Sequence, residues 1–185
     1  MRWFLILIYT LSNLSLFSQD KLFSKTATIV FVSETAIINI AGKNEKVVSF
    51  LKVNTGEIAF AVRMTDFTFE LPLAGEHFNE NYAESEKYPM ASFKGKITNY
   101  EMVDLKTPGV YPVMVTGELT MHGKTNSITE KAMLTVTNDT VQGFCLFKLR
   151  PEEYGIKIPK LVREKIAEEV TITINVDFKP YTDAK

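Results

Sequence analysis

Cysteine and histidine are nearly absent from this sequence of 185 residues, which has one cysteine, Cys145, and two histidines, His77 and His122. A single cysteine can form neither an intramolecular disulfide nor the paired-cysteine pattern of a structural zinc site. Zinc sites usually combine three or four His, Cys or carboxylate ligands, so we expect no native metal site. GxSxG, HExxH and P-loop motifs are also missing. The sequence therefore predicts no catalytic residues and no cofactor.

Strong net charge is lacking as well. Twenty-one Lys and Arg residues face 22 Asp and Glu residues, and the formal net charge is −1. Nucleic-acid-binding proteins carry basic patches, so no nucleic acid partner is expected. Thirteen phenylalanines against one tryptophan predict a phenylalanine-rich interior. Composition alone leaves open whether that interior is a packed core or a lined cavity.

No apolar run is long enough to span a membrane, which takes about 20 predominantly apolar residues. The first residues, MRWFLILIYTLSNLSLFSQ, place Arg2 before a short apolar stretch and end in small polar residues. This pattern predicts a secretory signal peptide over residues 1–19, followed by one domain over residues 20–185. An uncleaved anchor is the alternative. We expect an exported bacterial protein, periplasmic or secreted, that is not an integral membrane protein after signal removal.

Alternating apolar and polar residues dominate the rest of the chain. In GEIAFAVRM, one strand face carries Ile58, Phe60, Val62 and Met64. About eight or nine such runs, separated by turn residues, predict an all-β antiparallel domain closed as a barrel or folded as a two-sheet sandwich. Two stretches predict short helices: LAGEHFNENYAESEKYP, and IPKLVREKIAEE, in which an amphipathic helix begins at Pro159 and caps one end of a barrel.

Three stretches of the chain carry distinctive motifs, among them EKYPMASFKGKI and VTGELTMHGKTNSI. The first is similar to the tyrosine-proline-x-x-x-phenylalanine signature of the YceI-like family, and the second is similar to the G-x-L-T-x-H-G-x-T segment of that family. YGIKIPKLVREKIAEEVTITINVDF resembles the family's C-terminal glycine, short helix and closing strand. The matches run in order from about His77 to Phe178. The family often has a His-Ser pair in its first strand, whereas this chain has Ser33 without the histidine.

The resemblance implies a single antiparallel lipocalin-like β-barrel of about eight strands, with one or two short helices, that holds a polyisoprenoid or other lipid chain. The expected partner is such a lipid, bound for transport, storage or sequestration. The candidate pocket residues are the apolar strand faces: Ile58, Phe60, Val62, Met64, Phe93, Ile97, Val113, Val115, Phe147 and Leu149. For each of them, ordinary core packing remains an equal alternative.

Two other functions stay open at this point. A barrel with a solid core could act as a protein-interaction module, or the barrel could be an enzyme that acts on a small lipid-like substrate. His122 lies in GELTMHGKTNSI, between two predicted strands, where Gly123 favours a turn. We expect His122 to belong to this strand connection, with a polar contact to a ligand at the barrel mouth as its possible functional role.

Overall fold

The computed structural model describes residues 20–180, so the predicted signal peptide at 1–19 lies outside the described residues. Nine strands account for most of the described chain. They are β1 Lys21–Glu34, β2 Asn39–Lys52, β3 Glu57–Arg63, β4 Thr68–Phe69, β5 Met90–Ile97, β6 Gly109–Met121, β7 Lys124–Val136, β8 Val141–Leu149 and β9 Val170–Pro180. One helix, α1 Pro72–His77, continues as a π-helical turn over Phe78–Tyr82. Single 3₁₀ turns cover Met64–Asp66, Tyr100–Met102, Pro151–Tyr154 and Lys160–Val162.

Eight of these strands close into an antiparallel barrel. Each strand has one apolar face, and closure buries all of these faces in a shared interior. The order is β1-β9-β8-β7-β6-β5-β3-β2, and β2 returns to pair with β1. The ninth, the two-residue β4, pairs with the beginning of β2. Each barrel strand finds both partners between Lys21 and Pro180, so the barrel is complete without residues 1–19. The predicted all-β, eight-stranded antiparallel barrel is confirmed.

The first predicted helix is confirmed, and its position follows from Pro72. Proline fixes a helical φ and lacks the N–H that the first turn of a helix leaves without a partner, so it is favoured where a helix begins. Leu71 is the extended residue before the helix, and α1 begins at Pro72.

The second predicted helix is wrong in extent. The segment forms only one 3₁₀ turn, Lys160–Val162. A helix this short depends on packing of its apolar stripe, and Leu161 is 96% exposed. The backbone N–H of Ala167 donates instead to the Ser33 hydroxyl, 2.8 Å away, which ties the end of this segment to β1.

The two ends of the barrel differ. At the closed end, where β1 begins and β2 ends, the interior is solid. Side chains from different strands are almost fully buried there: Leu22, Leu51, Ile97, Val136, Val141 and Phe178. The 3₁₀ turn Tyr100–Met102 covers this end, and the Tyr100 hydroxyl donates a 2.8 Å hydrogen bond to the Val53 carbonyl. At the open end, where β1 ends and β2 begins, α1 and the segment 156–169 surround a cavity.

Candidate functional site

The candidate site is a cavity of about 560 Å³ in the open half of the barrel. Inward-facing residues of the barrel strands form its wall, and α1 with the segment 156–169 forms its mouth. Val176 and Phe178 of β9 belong to its lining close to the solid closed end. Because the lining is almost entirely aliphatic and aromatic, the cavity offers an environment suited to an apolar guest.

Eight of the ten candidate pocket residues line this cavity. They are Ile58, Phe60, Val62, Met64, Phe93, Val115, Phe147 and Leu149. Met64 does so from the 3₁₀ turn that follows β3, where it is 6% exposed. Whether any of these residues contacts a ligand stays a prediction.

Ile97 and Val113 lie elsewhere. They are 1% and 3% exposed and belong to the solid core of the barrel rather than to the cavity lining. Ile97 is the last residue of β5, and Val113 is near the beginning of β6, so both lie towards the closed end. Alternation placed both residues correctly on the inward face. Whether an inward residue borders the cavity or the solid core depends on how far along the barrel axis it lies.

Four phenylalanines form an aromatic cluster at the cavity mouth that the sequence analysis missed: Phe31, Phe67, Phe69 and Phe78. The Phe78 ring lies 5.3 Å from Phe31, 5.5 Å from Phe67 and 5.1 Å from Phe69 between ring centroids. Gly42 makes room for the cluster, because a Cβ at this position would collide with the Phe31 ring. The alternation of Ile29, Phe31 and Ser33 in β1 was the available signal, since all three line the cavity.

Few polar side chains reach the cavity, and Glu130 and Cys145 lie on neighbouring strands there. Burial raises the pKa of the Glu130 carboxyl. Burial, and then the Glu130 charge, raise the pKa of the Cys145 thiol to about 11. The thiol donates to the Lys131 carbonyl at 3.4 Å. A thiol that stays protonated is a poor nucleophile, so Cys145 acts as a small apolar wall residue.

The barrel wall is incomplete between β7 and β8. Their pairing runs only from Ala132–Cys145 to Val136–Val141, and within the described chain residues 124–131 have no partner on β8. Met133 and Phe144 pair within this ladder, next to its end at Ala132–Cys145, and both belong to the cavity lining although each is about 40% exposed.

His122 lies at the turn between β6 and β7, in the left-handed region at φ 51°. Its Nδ1 is 3.2 Å from the Tyr154 carbonyl oxygen, and its Nε2 is 3.4 Å from Glu84 Oε2, a polar contact without hydrogen-bond alignment. The Tyr88 ring packs on the imidazole at 4.4 Å between centroids. His122 lies in the strand connection and is not among the cavity-lining residues. Its polar contact to a ligand at the barrel mouth stays a prediction.

These contacts join all three sequence motifs. Tyr88 belongs to the tyrosine-proline motif, His122 to the H-G-x-T motif, and Tyr154 begins the C-terminal motif. Gly123, at φ 74°, lies against the Tyr88 ring, where any Cβ would collide. We call Glu84, Tyr88, His122, Gly123 and Tyr154 the latch, because they fasten the β6–β7 turn to two loops at the open end.

Residues 20–180 show neither a metal-binding cluster nor a membrane-spanning helix. Among these residues, no group of three or more His, Cys, Asp or Glu side chains could hold a metal ion. In the same part of the chain, none of the helices has the length and apolarity needed to cross a bilayer.

Known structures share this architecture. A polyisoprenoid-binding domain from Saccharophagus degradans is 12% identical, with a TM-score of 0.76 over 89% of this chain and 100% of the other. BcnA of Burkholderia cenocepacia is 16% identical, with a TM-score of 0.69 over 82% and 95%. The Campylobacter jejuni YCEI protein is 10% identical, with a TM-score of 0.55 over 98% and 100%. At these identities the likeness establishes the fold.

Sequence comparison assigns the family. No curated protein matches the chain. The family model described as the YceI-like domain matches residues 21–178, which include the nine strands up to Phe178 of β9 and all three motifs of the latch. The chain therefore belongs to the YceI-like domain family.

Proposed function

We propose that this protein is an exported, non-enzymatic binding protein that holds a long apolar chain, a polyisoprenoid or another lipid, for transport, storage or sequestration. The observation that carries the proposal is the apolar cavity of about 560 Å³, which reaches the surface at the open end of the barrel. A similarly folded domain from Saccharophagus degradans is described as polyisoprenoid-binding, which supports the ligand class.

Water is a poor occupant of this cavity. The volume has room for many water molecules, yet a buried water needs two to four polar partners. Ser33, one of the few polar residues in the lining, already accepts the Ala167 N–H. An apolar chain needs no such partners, and ten buried methylenes contribute roughly 8 kcal/mol before the costs of binding. The cavity therefore favours a hydrocarbon chain over solvent.

The same geometry disfavours the two alternative functions. A protein-interaction module built on a solid barrel requires a filled interior, whereas only the closed half of this barrel is filled. An enzyme would need convergent titratable groups in the cavity. The Cys145 thiol, with its pKa near 11, is protonated at neutral pH, and His122 contacts Tyr154 and Glu84 outside the cavity. His77 and Glu130 do line the cavity, but among the described residues no hydrogen bond joins His77 to Glu130 or to Cys145.

Filling the cavity tests ligand binding. Ala132 lines the cavity on β7, whereas Ala59 alternates with the inward residues Ile58 and Phe60 and faces outward. We expect Ala132→Phe to lower the amount of co-purified lipid at least about ten-fold, because the new ring occupies the space of the chain. Ala59→Phe is the matched control and should keep the wild-type amount. Organic extraction of protein from its native host, followed by mass spectrometry, measures both.

An equal lipid content in the Ala132→Phe and wild-type proteins would contradict this placement of the ligand. Export is tested separately. Protein recovered from the periplasm or the medium should begin near Gln19 or Asp20 by mass spectrometry of its N-terminus. Recovery of a chain that still begins at Met1 would contradict signal cleavage and favour an uncleaved anchor.

A further inference from the structure

Four of the six most exposed large apolar side chains among the described residues lie around the open end of the barrel, and the other two, Met102 and Val110, lie at the closed end. Leu161 is 96% exposed, Ile37 is 61% exposed, and Leu71 and Leu73 are each 59% exposed. Leu71 and Leu73 belong to the cavity lining themselves. Ile37 and Leu161 each precede a lining residue, Ile38 and Val162. We call Ile37, Leu71, Leu73 and Leu161 the mouth rim.

The residues of the mouth rim lie on three segments, and a hydrogen bond joins two of these segments. Ile37 is in the β1–β2 turn, Leu71 and Leu73 flank the first residue of α1, and Leu161 is the middle residue of a 3₁₀ turn. The Ser33–Ala167 hydrogen bond ties the end of β1 to the segment that carries Leu161. The rim is thus an apolar edge that is continuous with an apolar cavity.

Charge is unevenly distributed around this edge. The segment 157–165 carries four cationic residues, Lys157, Lys160, Arg163 and Lys165, and a single acidic residue, Glu164. Glu168 and Glu169 follow this segment, and Glu169 is paired with Lys148 and Arg150. Arg163 is paired with Glu152 at 3.0 Å, whereas no ion pair to Lys160 or Lys165 occurs among the described residues. On the other side of the mouth, Glu34 and Glu70 precede the Ile37 turn and Leu71.

We propose that the mouth rim docks onto the surface of a bilayer containing anionic lipid, with Leu161 inserted and the cations of segment 157–165 among the headgroups. This proposal rests on the proposed function, since it supplies the route by which an apolar chain passes between bilayer and cavity. The apolar ligand then moves between the bilayer and the cavity without crossing water. Each Lys or Arg near an anionic surface adds favourable electrostatic energy, and this attraction weakens with salt.

A tryptophan reporter locates the docking face. The chain from Asp20 contains the complete barrel and lacks tryptophan, because Trp3 is the one tryptophan of the sequence. Leu161→Trp places a reporter on the rim, and Met102→Trp is the matched control at the closed end, where Met102 is 68% exposed. With vesicles of phosphatidylethanolamine and phosphatidylglycerol, we expect a blue shift and quenching by brominated lipid for Leu161→Trp only.

Partition measurements test the energetics. We expect Leu161→Ser to lower vesicle partitioning at least about ten-fold, because burial of a leucine side chain is lost, whereas Met102→Ser leaves partitioning unchanged. Substituting phosphatidylcholine for phosphatidylglycerol, or raising the salt, should weaken binding. Both substituted side chains are exposed, so folding is not at risk.

Equal quenching at both reporters, or equal partitioning of Leu161→Ser and wild type, would overturn the docking proposal. A change in oligomeric state of Leu161→Ser without a change in partitioning would overturn it in favour of a contact between copies. Lipid content, measured without vesicles, separates the two proposals. An empty cavity in a protein that still binds vesicles through Leu161 would refute the carrier function and leave docking supported.

Discussion

Replacement of His122 by alanine tests whether the latch stabilises the barrel or serves the ligand. The side chain of His122 is 11% exposed and contacts three partners from two other segments. Alanine removes the Nδ1 contact to the Tyr154 carbonyl, the Nε2 contact to Glu84 and the ring packing on Tyr88. Because none of these partners lines the cavity, we expect a loss of stability without a loss of ligand affinity.

The magnitude follows from the contacts that are lost. A hydrogen bond contributes about 0.5–1.5 kcal/mol to stability, and an aromatic contact contributes about 0.5–1.5 kcal/mol. The left-handed backbone at residue 122 also tolerates histidine and asparagine better than most residues. Together these effects predict that the free energy of unfolding falls by about 2 kcal/mol. For a domain of this size, that corresponds to a fall in Tm of roughly 4–8 °C.

Chemical denaturation of the chain from Asp20, with lipid content measured in parallel, is the appropriate assay. His77→Ala is the matched control, because His77 is at the end of α1 on the cavity mouth and outside the latch. It should change the free energy of unfolding by less than about 0.5 kcal/mol. His122→Asn, which suits the left-handed backbone, should fall between wild type and His122→Ala. Unchanged stability together with reduced lipid content in His122→Ala would refute the latch and support a ligand contact.

Further predictions concern the two halves of the barrel. Ile97→Ala at the closed end should lower the free energy of unfolding by about 2–5 kcal/mol, since it leaves a void in a packed core. Phe60→Ala, beside an existing cavity, should lower it less and should change the lipid content. Equal losses of stability in the two variants, measured by chemical denaturation, would contradict this division of the barrel. Cys145, with its pKa near 11, should react with iodoacetamide at pH 8 at least about 100-fold more slowly than a free thiol, and a rapid reaction would show an accessible thiolate. Burial raises the pKa of Glu130 above its ordinary value of 4.5. The ionised carboxylate therefore disfavours the folded state, and its contribution lowers the free energy of unfolding as the pH rises through the folded pKa. Glu130→Gln should therefore gain stability relative to wild type as the pH is raised from 4.5, and a constant difference across that range would contradict the effect.

The sequence predicted the fold well because alternation is a local property. Each inward residue of β3 could be read from the period of two in GEIAFAVRM. The number of strands left a barrel and a sandwich open, and the resemblance to the YceI-like family favoured the barrel. The first short helix was also predicted, within LAGEHFNENYAESEKYP. The segment after Pro159 has a similar local pattern, but its structure is decided by the tertiary contact between Ala167 and Ser33, which no local pattern reveals.

The cavity was only partly predictable, because depth along the barrel axis is not encoded in alternation. Phe60 and Ile97 both face inward, yet Phe60 meets the void and Ile97 meets the solid core. The difference depends on which turns cover each end. The 3₁₀ turn at Tyr100 covers one end, and at the other α1 and the segment 156–169 stand around the cavity mouth. These arrangements are set by contacts between residues far apart in sequence.

The three motifs supply two kinds of residue. Some, such as Phe93, Leu119 and Ile156, line the cavity, whereas the residues of the latch lie outside it, and the half-filled barrel gives a physical reason for the second kind. A barrel that keeps an apolar void forgoes the packing that the void would otherwise provide. The open end must therefore be held by other contacts, and the latch supplies them through specific residues. Only glycine fits against Tyr88 at position 123, and His122 contacts both Glu84 and Tyr154. Cavity walls need only apolar bulk, which many side chains provide, so a site for an apolar chain leaves a weaker sequence signature than the specific contacts of the latch.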